Sequence, residues 1–196
     1  MITLIYDTDK IYFMVYTGHP WHDIEIGKKA PKIVNMVVEI PKDSKIKYEL
    51  DKKSGMLKMD RFLYSAVHYP GDYGFIPKTL WEDDDPLDIL LLTSKGMFPL
   101  TICEVKVIGV LHMHDNTESD DKIIAVHQND PRYLEWTNID KIPKHYVKEL
   151  KHFFETYKQL QNTDVKVFSF KGPQAAYATI KKSQELYKKK FAKDVF

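Results

Sequence analysis

Apolar and polar positions alternate with a period of two along much of the first two thirds of the chain, which is the signature of half-buried β-strands. KIVNMVVEIP (32–41) is one such run and stops at Pro41. IKYEL (46–50) sets Lys47 and Glu49 on one face and Ile46, Tyr48 and Leu50 on the other. A partner segment at 56–64 follows DKKSG (51–55), which reads as a hairpin turn with Gly55 supplying the tight backbone. The same alternation groups Arg61 with Leu57, Met59 and Leu63, an apolar face on which a charge needs a partner or a ligand. Further strands are predicted at 89–93, 101–113, 122–127 and 164–170. Helical spacing appears only late. PKHYVKELKHFFETYKQL (143–160) brings Val147, Leu150, Phe153, Phe154, Tyr157 and Leu160 to one side, with Pro143 near the helix start. A second helix is predicted from Pro173 to Phe191, with Ala176, Ile180 and Tyr187 inward. Short strands followed by helices predict an α+β, mainly β fold: a small barrel or curled sheet with C-terminal helices packed on it. Residues 1–19 read as an N-terminal extension, a short strand pair ending at HPWHDI (19–24). Residues 20–196 read as a single domain.

Composition changes this picture little. The 196 residues, 43% hydrophobic and 13% aromatic, suit an ordinary globular chain that needs no disulfides. The lone Cys103 falls in an apolar alternating run and reads as a small core residue in a reducing compartment. No run of 18 apolar residues predicts a membrane span. The start, MITLIYDTDKIYF, lacks the basic region of a signal peptide and the Arg and Ser of a transit peptide, so a cytoplasmic protein is expected. Charge is more informative. The net value is +1, yet residues 141–196 carry 13 Lys against 5 acids, so the rest of the chain is acidic. The basic end reads as solvated helix faces, with nucleic acid binding the lesser alternative.

The acidic excess is concentrated. In EDDDPLDILL (82–91) five of the first seven residues are carboxylates, directly before a strand pattern. Two carboxylates about 4 Å apart repel by about 4 kcal/mol at an effective dielectric near 20. Asp83, Asp85 and Asp88 therefore either splay into water or hold a hard cation, and all-oxygen ligation suits Mg²⁺, Mn²⁺ or Ca²⁺. An EF-hand does not fit, because its sixth position would be Asp88 rather than Gly and its twelfth Ser94 rather than Glu. A second acidic loop in HMHDNTESDDKIIAV (112–126) carries Asp115, Asp120 and Asp121 with Lys122 adjoining, and it reads either as a hydrophilic hairpin or as the other half of a shared site. His112 and His114 share a strand face but lack a third zinc ligand. Lys47 and Arg61 are candidate cations for an anionic substrate.

With these residues in view, the sequence resembles the family I soluble inorganic pyrophosphatases across roughly residues 20–185. DDDPLDI (83–89) matches the family's short signature. VVEIP (37–41), KYELD (47–51), DRF (60–62), YPGDYGFIP (69–77) and FFETYK (153–158) match around it, and HPWHDIEIG (19–27) looks like the eukaryotic and plant-like branch. The resemblance implies an OB-like five-stranded β-barrel with packed helices. It implies Mg²⁺-dependent hydrolysis of pyrophosphate to two phosphates by in-line attack of a metal-activated water, with several Mg²⁺ ions, Mn²⁺ as a substitute, and inhibition by Ca²⁺ and fluoride. By motif, it implies Asp83, Asp88 and Asp120 as principal metal ligands, Asp115 as a helper, and Glu39 and Glu49 lining the site. Asp85 would take the proton of the attacking water. Lys47, Arg61, Tyr73, Lys122, Tyr157 and Lys158 would hold the phosphates. One departure is Thr117, where plant-like relatives tend to have Gly. Tyr157 and Tyr73 read from the residues alone as a core side chain and a loop anchor.

Two other classes stay open on the residues. An OB-like nucleic acid-binding module would use the basic C-terminal third, although the aspartates would repel a phosphate backbone. A phosphatase acting through a phospho-aspartate would place its Asp-x-Asp after a strand, whereas here the cluster precedes one. Family members differ in assembly, so a homo-oligomer is open too. Neither a nucleic acid partner nor a membrane is expected.

Overall fold

The computed structural model describes residues 4–7, 10–13 and 18–191. In chain order it contains β1 (Leu4–Asp7), β2 (Lys10–Phe13), β3 (Ile33–Ile40), β4 (Ile46–Leu50), β5 (Leu57–Phe62), β6 (Asp72–Phe75) and β7 (Asp88–Leu92). There follow β8 (Ile102–Asp115), β9 (Glu118–Ser119), β10 (Lys122–His127), α1 (Lys144–Thr156), β11 (Val165–Lys171) and α2 (Pro173–Phe191). The first two strands pair antiparallel with each other in a sheet of their own.

The main sheet runs β10-β7-β6-β3-β8-β11, and β10 also bonds β8. The path therefore returns on itself through β3, β6, β7, β10 and β8, a ring of five strands consistent with an OB-like barrel. The long β8 makes closure possible. Its first half pairs with β3, its second half with β11, and its opposite edge with β10. Strands of such a ring are buried where they face both the interior and a packed helix, so Ile89, Leu90, Leu91, Ile123 and Ile124 are all inaccessible. On one face Ile40, Leu90, Leu111 and Ile124 pack with α1 residues Leu150, Phe153 and Phe154; on the other Val34, Met36, Ile89 and Val105 pack with Ala176 and Ile180 of α2. Cys103 belongs to this second cluster, and burial pushes its thiol up to about 11.

Three expectations need correction. The alternation that grouped Arg61 with Met59 is broken by a bulge: Arg61 lies opposite Lys47 and Met59 opposite Tyr48, leaving Asp60 as the extra residue. Arg61 is thereby turned to the Lys47 side, and Met59 is left 43% exposed. Leu160 does not continue the inward stripe. The α-helix stops at Thr156, a 3₁₀ turn follows, and Leu160 is exposed. Third, β6 was not expected. Its four residues, DYGF, are all buried, so no alternation marks them.

Gly74 of β6 is needed for sheet closure. A Cβ there would overlap the Val37 carbonyl oxygen and come within 3.0 Å of the Glu39 backbone nitrogen. Gly74→Ala is expected to cost about 3 kcal/mol or more, because rigid backbone must move to admit the methyl group. A denaturant midpoint unchanged from wild type would show that β3 and β6 are not held this closely.

Candidate active site

Two parallel neighbours gather the site. β7 and β10 are the parallel pair of the ring, and their register sets Lys122 opposite Asp88. The acidic loops that precede these strands therefore enter the sheet at the same end. Between them opens a cavity of about 580 Å³ whose walls include Asp83, Asp85, Asp88, Asp115, Glu118, Asp120, Glu39 and Glu49. Lys47, Lys52, Lys122 and Lys158, with Tyr69, Tyr73 and Tyr157, complete most of the lining. Of the residues the family resemblance assigned to the site, all but Arg61 line it, and Asp121 of the second acidic loop stays outside. Arg61 binds Asp60, whose carboxylate also lies 3.4 Å from the Lys47 ammonium, so it stands one carboxylate behind the wall. Its Nε is buried without a partner.

Each side chain is placed by local structure. Glu39 is the unpaired residue of a bulge in β3, between Val38 opposite Gly74 and Ile40 opposite Tyr73. It accepts a hydrogen bond from the Leu50 backbone N–H at 2.8 Å. The Asp83–Asp88 loop is wound tightly. Asp84 has φ 66°, the Trp81 N–H donates to the Asp85 carbonyl at 2.7 Å, and Asp83 accepts from the Asp85 N–H at 3.1 Å. Lys182 and Lys190 of α2 grip Glu82 and Asp84 from outside, so part of the basic C-terminal excess serves the acidic loop. The second loop is a two-residue turn between β8 and β9. Only Asn116 there has positive φ, 55°, so the position of Thr117 does not call for a glycine.

The electrostatics are those of crowded carboxylates. Lys122 is 2% exposed and pairs with both Asp88 and Asp120. Tyr73 donates its hydroxyl to the same Asp88 at 2.5 Å. Burial would lower the Lys122 pKa, but Asp120 and Asp88 hold it well above the usual value. Burial and the Asp88 charge push Glu39 up to about 8 and Asp83 up to about 6. Asp88 itself is raised, chiefly by burial. Lys158 pairs with Asp115, and Lys47 with Glu49. Burial raises the pKa of Tyr157, which is part of the core as well as of the cavity wall.

Eight carboxyl groups thus face four ammonium groups around one cavity. Among the described residues, no three His, Cys, Asp or Glu side chains already stand in a ligating array, since Lys122 occupies the space between Asp88 and Asp120. The donor set nevertheless fits hard divalent cations. It is all oxygen and has excess negative charge, and burial raises the pKa of three of its members, Glu39, Asp83 and Asp88. His112 donates from Nδ1 to the Asp121 carboxylate at 2.7 Å, and His114 packs edge-on against Phe168, so neither enters this set. Lys52, Tyr69 and Glu118 escaped the sequence reading. Lys52 directly follows the KYELD run, Tyr69 opens the YPGDYGFIP run, and Glu118 lay within the acidic loop.

A closed β ring with such a cavity at the mouth of two parallel strands defines a metal-assisted enzyme site for a phosphate-bearing anion. The sequence profile of the inorganic pyrophosphatase family matches residues 36–188. A soluble inorganic pyrophosphatase of Solanum tuberosum is 50% identical over 170 residues, 87% of this chain and 81% of that protein. One of Chlamydomonas reinhardtii is 47% identical over 174 residues, 89% and 91% of the two chains. The crystal structure of the Thermus thermophilus inorganic pyrophosphatase superposes with a TM-score of 0.84 at 41% identity, covering 87% of this chain and 99% of that one. The chain belongs to the inorganic pyrophosphatase family. Membership implies a divalent metal cofactor. Among the described residues no helix is long and apolar enough to cross a membrane.

Proposed function

We infer that this chain hydrolyses inorganic pyrophosphate to two orthophosphates with Mg²⁺, Mn²⁺ serving as a substitute. The observation that carries the reading is the surplus of carboxylates over ammonium groups around one cavity. Asp83, Asp88 and Asp120 are the principal candidates to hold the metal, with Asp115 assisting and Glu39 and Glu49 lining the site. Bound divalent cations offset phosphate charge and lower the pKa of a water molecule. Lys47, Lys122 and Lys158 supply point charges for the phosphoryl oxygens, and Tyr73 and Tyr157 supply hydroxyl donors. Arg61 reaches the substrate only after parting from Asp60. Asp85 lines the cavity on a tight loop and suits the role of proton acceptor: water oxygen bonds to phosphorus in line, the bridging P–O bond breaks, and Asp85 takes the proton. Residues 20–196 serve as one catalytic domain, residues 1–19 as an extension, in the cytoplasm and without a nucleic acid or membrane partner. Phosphate release from pyrophosphate with Mg²⁺, abolished by chelator, is the expected result. Chelator-resistant release or none would overturn the reading.

Metal binding should depend on pH in a stated direction. Metal and proton compete for Asp83, whose pKa is pushed up to about 6. Protonation of that one carboxyl lowers affinity by about tenfold between pH 7 and pH 5. Calorimetric Mg²⁺ titrations at the two pH values measure this, and equal affinities would remove Asp83 from the ligand set.

A further inference from the structure

Lys52 is a cavity residue that neither the motif nor the hydrolytic reading uses. It sits in the turn between β4 and β5, the hairpin that also carries Lys47 and Glu49. Its ammonium pairs with the carboxylate of Asp85 and donates to the Asp84 carbonyl at 3.0 Å. Its backbone is held from the other side. The Lys52 carbonyl lies 3.0 Å from His19 Nε2, and the turn is closed by the Gly55 N–H donating to the Asp51 carbonyl at 2.8 Å. Gly55, at φ +70°, leaves no room for a side chain, since a Cβ would meet Pro20 and His19 at 3.0 and 3.1 Å. The HPWHD segment thus fixes where the lysine starts, and the four-carbon stem spans to the acidic loop.

This pair differs from the one at Lys122. Lys122 is 2% exposed, whereas the side chains of Lys52 and Asp85 are 47% and 51% exposed. A half-exposed ion pair is weak and is readily exchanged for a better partner. We propose that Lys52 is a further phosphate-binding residue that exchanges the Asp85 carboxylate for a phosphoryl oxygen, and so frees Asp85 when substrate or product enters. A compact ammonium on a mobile stem, tethered at its backbone, suits such an exchange. In the absence of phosphate the same ammonium neutralises charge beside the metal-binding carboxylates, and so opposes the entry of a divalent cation. This inference rests on the pyrophosphatase reading and adds a substrate contact to it.

The test uses the full chain and its Lys52→Met and Lys52→Arg variants. Inorganic phosphate binding to the Mg²⁺-loaded protein should weaken about tenfold in Lys52→Met, the scale of one charge-assisted hydrogen bond at a half-exposed site, and recover in Lys52→Arg. The KM for pyrophosphate should rise with it while kcat changes by less than about threefold. Calorimetric titration of metal-free protein with Mg²⁺ alone should show tighter binding in Lys52→Met than in wild type. Unchanged phosphate affinity in Lys52→Met, or weaker metal binding, would overturn the proposal and leave Lys52 a loop contact. If wild type itself releases no phosphate from pyrophosphate, the hydrolytic reading has failed instead.

Discussion

Asp85→Asn should lower pyrophosphate turnover by roughly 10²–10⁴-fold, the usual contribution of a positioned proton acceptor, with Mg²⁺ affinity close to wild type. The separation of the two effects follows from the loop. Asp83 and Asp88 carry raised pKa values, chiefly from burial, with the Asp88 charge adding to the first and the Asp120 charge to the second, whereas Asp85 is about half exposed and spends its carboxylate on Lys52. The amide keeps the shape of the side chain and still accepts from the Lys52 ammonium, so the turn and its Asp83 contact should persist. What it loses is the capacity to take a proton. Steady-state kinetics beside calorimetric metal titration separates the two. Turnover within about threefold of wild type would remove Asp85 from the acceptor role, and a parallel collapse of metal binding would make it a ligand.

Lys122→Met should have the largest effect on stability. Lys122 is the buried counter-ion of both Asp88 and Asp120, and Tyr73 adds a hydrogen bond to the same Asp88 oxygen. Removing one partner of a buried ion pair leaves uncompensated charge and costs about 3–5 kcal/mol. For a chain of this size that corresponds to a loss of about 10 °C in the Tm of metal-free protein. The direction under two further conditions is fixed. Mg²⁺ should recover more stability in the variant than in wild type, because it returns positive charge to the same carboxylates. Lower pH should narrow the gap, since Asp88 already has a raised pKa and protonation removes the unpaired charge. Thermal denaturation with and without Mg²⁺ is the measurement. A metal-free variant melting with wild type would mean that Asp88 and Asp120 do not depend on Lys122.

Much of this was legible along the chain, and the gaps have physical causes. Strands with one wet face, such as β4, alternate and were readable to the residue, and both acidic loops stood out by composition. Long-range register did not. That Asp88 and Lys122 sit side by side depends on β7 and β10 being parallel neighbours, a pairing across 34 positions that no local pattern encodes. Bulges were equally hidden. One extra residue at Asp60 moved Arg61 to the other face, and another in β3 isolates Glu39 from the ladder. Lys52 went unnoticed because an exposed lysine in a hairpin turn is ordinary until the acidic loop is seen beneath it. The helix end was overrun because Leu160 keeps the spacing after the backbone has left it.

The shared direction of β7 and β10 also says where the molecule tolerates engineering. The acidic loops meet the first residues of these strands, so the far end of β10, near Gln128 and Asn129, lies about 17–20 Å away along the ladder. A short peptide tag or fluorescent reporter grafted there would ride on the barrel without reaching the chemistry, whereas the same graft between Asn116 and Thr117 would pry open the turn on which it depends.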